Sequence, residues 1–183
     1  MLKKFPFYKQ PESKDCGPTC LKIIAKHYGK NLNIQTLRSL SETTREGSNL
    51  LTLSDAAEKI GFRTLGVKLS IKKLEEAPLP CILHWNNNHY VVLYKVKRDS
   101  YGMTKGRKYC ISDPAHGLLE YNEQDFLKLW IGNNATSETE EGIALLLEPT
   151  PTFYKNEWDN EDSKEFGFAL LTKYIIPYKS FVV

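Results

Sequence analysis

The chain has 183 residues, 41% hydrophobic and 11% aromatic, which suits one domain of about 150 residues with a real core and an appendage. Its formal charge of +3 comes from 25 basic and 22 acidic residues that are scattered along the sequence, so no Lys/Arg block points to nucleic acid. The N-terminus has no apolar signal-peptide core, and residues 1–150 hold no run of about 18 apolar residues, so the expectation is a domain kept in the reducing cytosol.

Residues 16–28 carry an apolar helical pattern that Gly29 stops. Ile34, Leu37, Arg38 and Leu40 predict a short second helix. Thr52 to Ile60 predicts a third, with Thr52 or Ser54 as N-cap, Asp55 in the first turn and Gly61 beyond the end. From Phe62 the period changes to two. Phe62–Leu69 alternates as a strand, Ile71–Ala77 adds a helical turn before Pro78, and Leu79–Trp85, Tyr90–Val96, Arg107–Ser112 and Leu118–Tyr121 read as strands separated by Asn, Gly and Pro. Asn122 caps a helix through Trp130, and Gly142–Leu147 reads as a final buried strand. Helices first and hairpin-connected strands after them argue for an α+β fold, its two halves packed together.

The globular part is expected to span 1–150. Residues 151–165 read as an acidic linker, carrying Glu157, Asp159, Glu161, Asp162 and Glu165. Residues 166–183 are interrupted by Lys173, Pro177 and Lys179, which precludes a complete membrane span within them. They resemble an amphipathic juxtamembrane segment, the start of a longer membrane part. A terminal helix docking on the domain is the alternative.

The four cysteines, at 16, 20, 81 and 110, form no paired CxxC set, which argues against zinc. Cys81 and Cys110 read as small apolar residues on strands. Cys16 is different. It opens the first helix, where unpaired backbone N–H groups and the positive end of the macrodipole favour thiolate. A base for this nucleophile is sought among four histidines. His27 lies too far along the same helix, and His116 sits in a Pro-Ala-His-Gly turn. His89 opens an apolar strand after the turn-forming Asn86–Asn88, where a base can be rigidly held; His84 is the competing base, but within a strand beside Trp85 its expected role is packing. Asp113 precedes Pro114, which holds it extended and fixes where its carboxylate points. If its strand neighbours that of His89, it can orient the imidazole. The Gln10 amide, six residues before Cys16, is a candidate oxyanion donor.

Gln10, the run Asp15-Cys16-Gly17-Pro18-Thr19-Cys20-Leu21, then His89-Tyr90-Val91-Val92-Leu93, then Asp113-Pro114 closely resemble the C39 family of cysteine peptidases. The likeness covers about residues 5–150 in the right order. It implies a papain-like fold with Cys16 as nucleophile, His89 as general base and acid, Asp113 as orienting carboxylate and Gln10 as oxyanion donor. His84 matches no catalytic position, and no cofactor or metal is implied. Also implied is a substrate: the double-glycine leader of a bacteriocin-like or pheromone precursor, cut after Gly-Gly or Gly-Ala. The implied partners are the transmembrane and nucleotide-binding domains of a parent ABC transporter, with this domain at the cytoplasmic face of the bacterial membrane. Because no phosphate-binding Gly-Lys-Ser/Thr loop occurs in the sequence, the chain is expected to be a domain excised from such a transporter. Two alternatives stay open: a catalytically silent relative that binds peptide cargo, and a papain-like enzyme of other acyl chemistry, such as a transglutaminase or amide hydrolase.

Overall fold

The computed structural model describes residues 4–45, 47–98, 106–132 and 141–155. Three helices come first: α1 (Cys16–His27), α2 (Ile34–Leu40) and α3 (Leu50–Lys59). Next come β1 (Phe62–Leu69), α4 (Ile71–Glu76), β2 (Cys81–Trp85), β3 (His89–Arg98), β4 (Arg107–Asp113), β5 (Gly117–Asn122), α5 (Glu123–Trp130), β6 (Gly142–Pro149) and α6 (Pro151–Lys155). The six strands form one sheet in the order β1-β6-β2-β3-β4-β5. Every neighbouring pair is antiparallel. The α+β expectation holds.

Period-two alternation sends successive strand residues to opposite faces. Ile82, Tyr90, Val92, Leu145 and Leu147 meet α1, α2 and α3 on one face. Cys81, Leu83, Val91, Leu93, Tyr109 and Ile111 meet Ile71 and Leu74 of α4 and Phe126 and Trp130 of α5 on the other. The sheet is therefore covered on both sides, which the sequence pattern did not separate. Cys81 and Cys110 are fully buried strand residues, as expected. Residues 16–25 of α1 are all buried, because this helix is enclosed between the sheet and its sister helices. Even Lys22 is covered, with its ammonium 4.7 Å from the centroid of the Tyr8 ring.

Two boundaries differ from expectation. The third helix begins at Leu50, and its cap is Asn49, whose side-chain oxygen accepts from Thr52 N–H at 2.9 Å. Thr52 lies inside the first turn, its hydroxyl donating to the Asn49 carbonyl, and the Ser54 hydroxyl is engaged by Thr64 across to β1. Neither is left to cap. At the other end, residues 151–155 are not linker. They form α6, which puts Phe153 in the core beside Phe62, at 4.5 Å between ring centroids. Gly61 makes this possible: its φ is +102°, and a Cβ there would lie 2.4 Å from the Phe153 nitrogen. Asn122 caps α5 as expected, accepting from Asp125 N–H at 2.8 Å. The segment 166–183 and the acidic part of the linker lie outside the described residues. Among the described residues, no helix is long and apolar enough to cross a membrane.

Candidate active site

Three elements deliver the site. Cys16 is the first residue of α1 and is 6% exposed. His89 is the first residue of β3, just after the Asn86–Asn88 turn, and Asp113 is the last of β4. The β3–β4 ladder pairs Val92 with Ser112 and Leu93 with Ile111. This antiparallel pairing brings the start of β3, with His89, beside the end of β4, with Asp113. The side chains meet: His89 Nε2 and Asp113 Oδ1 are 2.8 Å apart. Cys16 stands close enough to His89 to act on its imidazole electrostatically. With Nε2 engaged by the carboxylate, Nδ1 is the nitrogen left for the sulfur.

Burial by itself would push the imidazole pKa of His89 down. The hydrogen bond with Asp113, and the negative charge of Asp113 and Cys16, outweigh it and raise the value from 6.5 to about 9. Burial would likewise raise the carboxyl of Asp113, but hydrogen bonds from His89, His116 and the Ala115 N–H, with the charge of His89, bring it from 3.8 down to about 2. The signs give a test. Asp113 contributes stability that is present above pH 3.8 and lost as pH falls toward about 2, while His89 contributes stability present below pH 6.5 and lost as pH rises through about 9. The gap in melting temperature between wild type and His89→Ala is therefore expected to shrink from pH 6.5 to 9. A gap that widens over that range would contradict the pairing.

Cys20 sits one turn beyond Cys16, fully buried. Burial, then the negative charge of Cys16 and Asp113, pushes its pKa well up, so it stays a neutral thiol. His84 is half-buried in β2, its ring 5.4 Å from that of Tyr90, and its pKa is lowered by burial. It packs beside Tyr90. His27 packs between the rings of Phe5, tilted, and Tyr28, edge-on, at the far end of α1.

Gln10 is tied to the same corner by its backbone, whose N–H donates to the Pro114 carbonyl at 2.9 Å. Its side-chain Nε2 donates to the Ser13 carbonyl at 3.3 Å, an acceptor only the N–H side of the amide can satisfy, while Oε1 is buried without a partner. One N–H of that amide is thus held by the chain just before Cys16, and the second is left over.

Two supporting contacts had no clear sequence signal. Asp15, immediately before Cys16, is fully buried. It accepts from the Glu12 N–H at 2.8 Å and from Arg38 Nε at 2.6 Å, with Arg38 Nη2 on its other oxygen. Arg38 also bonds Glu12 and Gln35, so α2 clamps the turn that presents the cysteine. His116, expected at the surface, is 70% exposed in its side chain, yet its Nδ1 lies 2.9 Å from Asp113 Oδ2. Its spacing of three from an aspartate in a turn is the only hint the sequence holds.

The model of the peptidase C39 family matches residues 4–142. The chain is 35% identical over 179 residues to the lactococcin-G-processing and transport ATP-binding protein LagD of Lactococcus lactis subsp. lactis, which covers 94% of this chain and 22% of that protein. It is 32% identical over 145 residues to the colicin V secretion/processing ATP-binding protein CvaB of Escherichia coli, covering 75% and 20%. The chain thus spans about a fifth of the length of the curated relatives it matches. Among solved structures, a double glycine motif protease from an AMS/PCAT transporter, crystallised with the leader peptide, superposes with a TM-score of 0.66 at 30% identity, covering 80% of this chain and 93% of that one. The peptidase domain of Streptococcus ComA, a bifunctional ABC transporter involved in quorum sensing, gives 0.63 at 26%, covering 80% and 100%.

Proposed function

Because this chain belongs to the peptidase C39 family and has the papain-like fold of its structural neighbours, we propose that it is a cysteine endopeptidase that removes a leader from a double-glycine precursor peptide. The observation that carries this reading is His89 joined to Asp113 at 2.8 Å, with Cys16 close enough to help raise the imidazole pKa. A packing cysteine has no use for an imidazole that a buried carboxylate orients.

The chemistry is acyl transfer. Cys16 thiolate attacks the glycyl carbonyl, and the N–H of Gln10 with a backbone N–H near Cys16 stabilises the oxyanion. His89, held protonated up to about pH 9, gives its proton to the departing amine. It then takes a proton from the water that releases the leader from the thioester, and the thiolate–imidazolium pair is restored. Asp113 holds the imidazole in the tautomer that faces the sulfur.

The substrate class is the leader of a bacteriocin-like or related exported peptide, in keeping with the processing and transport proteins this chain is similar to. Glycines at the two positions before the cut fit a narrow approach to the thiolate that excludes side chains. The partners are the transmembrane and nucleotide-binding domains of a parent ABC transporter, and the place is the cytoplasmic face of its membrane.

The test is a panel of precursor peptides incubated with the full chain and read by mass spectrometry. Cleavage is expected directly after Gly-Gly or Gly-Ala, and Gly→Val at the residue before the cut should reduce it at least about 100-fold, since a branched side chain there must displace packed atoms. Uncut Gly-Gly precursors, or equal cleavage of the valine peptide, would reject the assignment.

A further inference from the structure

The carboxylate of Asp113 accepts three hydrogen bonds, one from His89 of β3 and two from the turn that follows β4. Oδ1 takes His89 Nε2 and the Ala115 N–H, each at 2.8 Å. Oδ2 takes His116 Nδ1 at 2.9 Å. The mechanism above uses only the first of these contacts. His116 reaches its partner from a turn whose backbone is itself closed on the same residue, the His116 N–H donating to the Asp113 carbonyl at 3.2 Å. The Gln10 N–H on Pro114 fastens the turn from outside. His116 therefore approaches a carboxylate whose position is already set, and it engages the one oxygen that His89 does not touch.

What remains loose in such a carboxylate is rotation about its terminal torsion, which is broad and two-fold for aspartate. A group anchored through Oδ1 alone can swing its plane, and the imidazole it orients swings with it. Donors on both oxygens remove that freedom. We propose that His116 is a positioning residue: by donating its Nδ1–H to Asp113 Oδ2 it locks the plane in which Oδ1 receives the His89 N–H, and so keeps His89 turned toward Cys16. His116 touches neither sulfur nor imidazole, and acts only through Asp113. Because its side chain is 70% exposed, water screens the bond and the effect is a moderate one.

This role rests on the peptidase reading, so the test includes a readout that needs no peptide. Wild type, His116→Ala and His116→Asn are compared as full chains. Asparagine places an amide N–H close to where Nδ1 sits, and alanine leaves Oδ2 to water. Three quantities are measured: kcat and KM on a Gly-Gly precursor, the rate at which iodoacetamide alkylates Cys16 at pH 7, and Tm. His116→Ala is expected to lower both kcat and the alkylation rate about three- to tenfold, the scale of one screened hydrogen bond to a charged group, with KM and Tm unchanged. His116→Asn should restore most of the loss. Wild-type rates in His116→Ala overturn the proposal. So does an equal loss in both variants, or a loss that tracks a fall in Tm. If no variant, wild type included, cuts any double-glycine precursor, the peptidase reading falls; the alkylation rates of the three proteins still decide for or against His116.

Discussion

Cys16→Ala is expected to abolish cleavage of a double-glycine precursor, a loss of at least about 10⁴-fold, as when other nucleophile–base enzymes lose their nucleophile. Binding of the precursor should survive. The substitution removes one sulfur atom from a side chain that is 6% exposed, at a helix start whose position is set by Asp15 and Arg38 rather than by the thiol. The two readouts are mass spectrometry for products and fluorescence anisotropy of a labelled precursor for affinity. His89→Ala should cost nearly as much, and the double variant no more than either single one. The reason is that each group is useful only through the other: a thiol without its imidazole has no counter-ion, and an imidazole without the thiol has nothing to activate. Cleavage that persists in Cys16→Ala, or losses that multiply in the double variant, would remove the nucleophilic mechanism.

The second large effect is on stability. Arg38→Ala is expected to destabilise the fold by about 3 kcal/mol, the lower end of what a buried carboxylate costs when its partner is removed. Set against a total of roughly 5–15 kcal/mol for a domain, that is a substantial share. Asp15 is fully buried, and its oxygens are held by Arg38 and the Glu12 N–H. Without the guanidinium, only that one backbone donor remains. The lower end applies because Arg38 is reached by solvent at its edge, with 18% of its side chain exposed. Urea unfolding measures the loss, and Asp15→Asn placed in the Arg38→Ala background should recover part of it, since a neutral amide needs no counter-charge. A loss below about 1 kcal/mol, typical of a surface pair, would mean that the clamp does not hold the turn. The same clamp bears on the site: it fixes the Ser13–Asp15 turn, whose Ser13 carbonyl receives the Gln10 amide.

Much of this architecture was legible along the chain, and for local reasons. Residues 16–28 follow a period of 3.6 and end before Gly29, and α1 ends there. Asn122 stands ahead of a helical run with acids in its first turn, and it caps α5. Where a choice depended on neighbours not yet placed, the outcome shifted by a few residues. Thr52 and Ser54 are good capping residues, but Asn49 lies where the chain turns, and Ser54 is taken by Thr64 of β1. Pro151 to Lys155 falls within the expected linker, yet Phe153 finds a place beside Phe62 because Gly61 leaves room for its backbone.

Composition, hydrophobic period and turn chemistry determined by themselves the helices, most of the strands and the short set of residues able to do chemistry, because each of these depends on groups within a few positions of one another. Between His84 and His89, five residues apart on neighbouring strands, those terms gave only a preference for His84 as a packing residue, and the likeness to the C39 family assigned His89. Only the tertiary structure decided that the Asp113 carboxylate reaches His89 at 2.8 Å, that His116 shares that carboxylate and that Arg38 holds the turn before the cysteine. Those contacts are made through space, by the register of β3 against β4 and the seating of α1 and α2 against the sheet, and the free energy that sets them comes from the core as a whole.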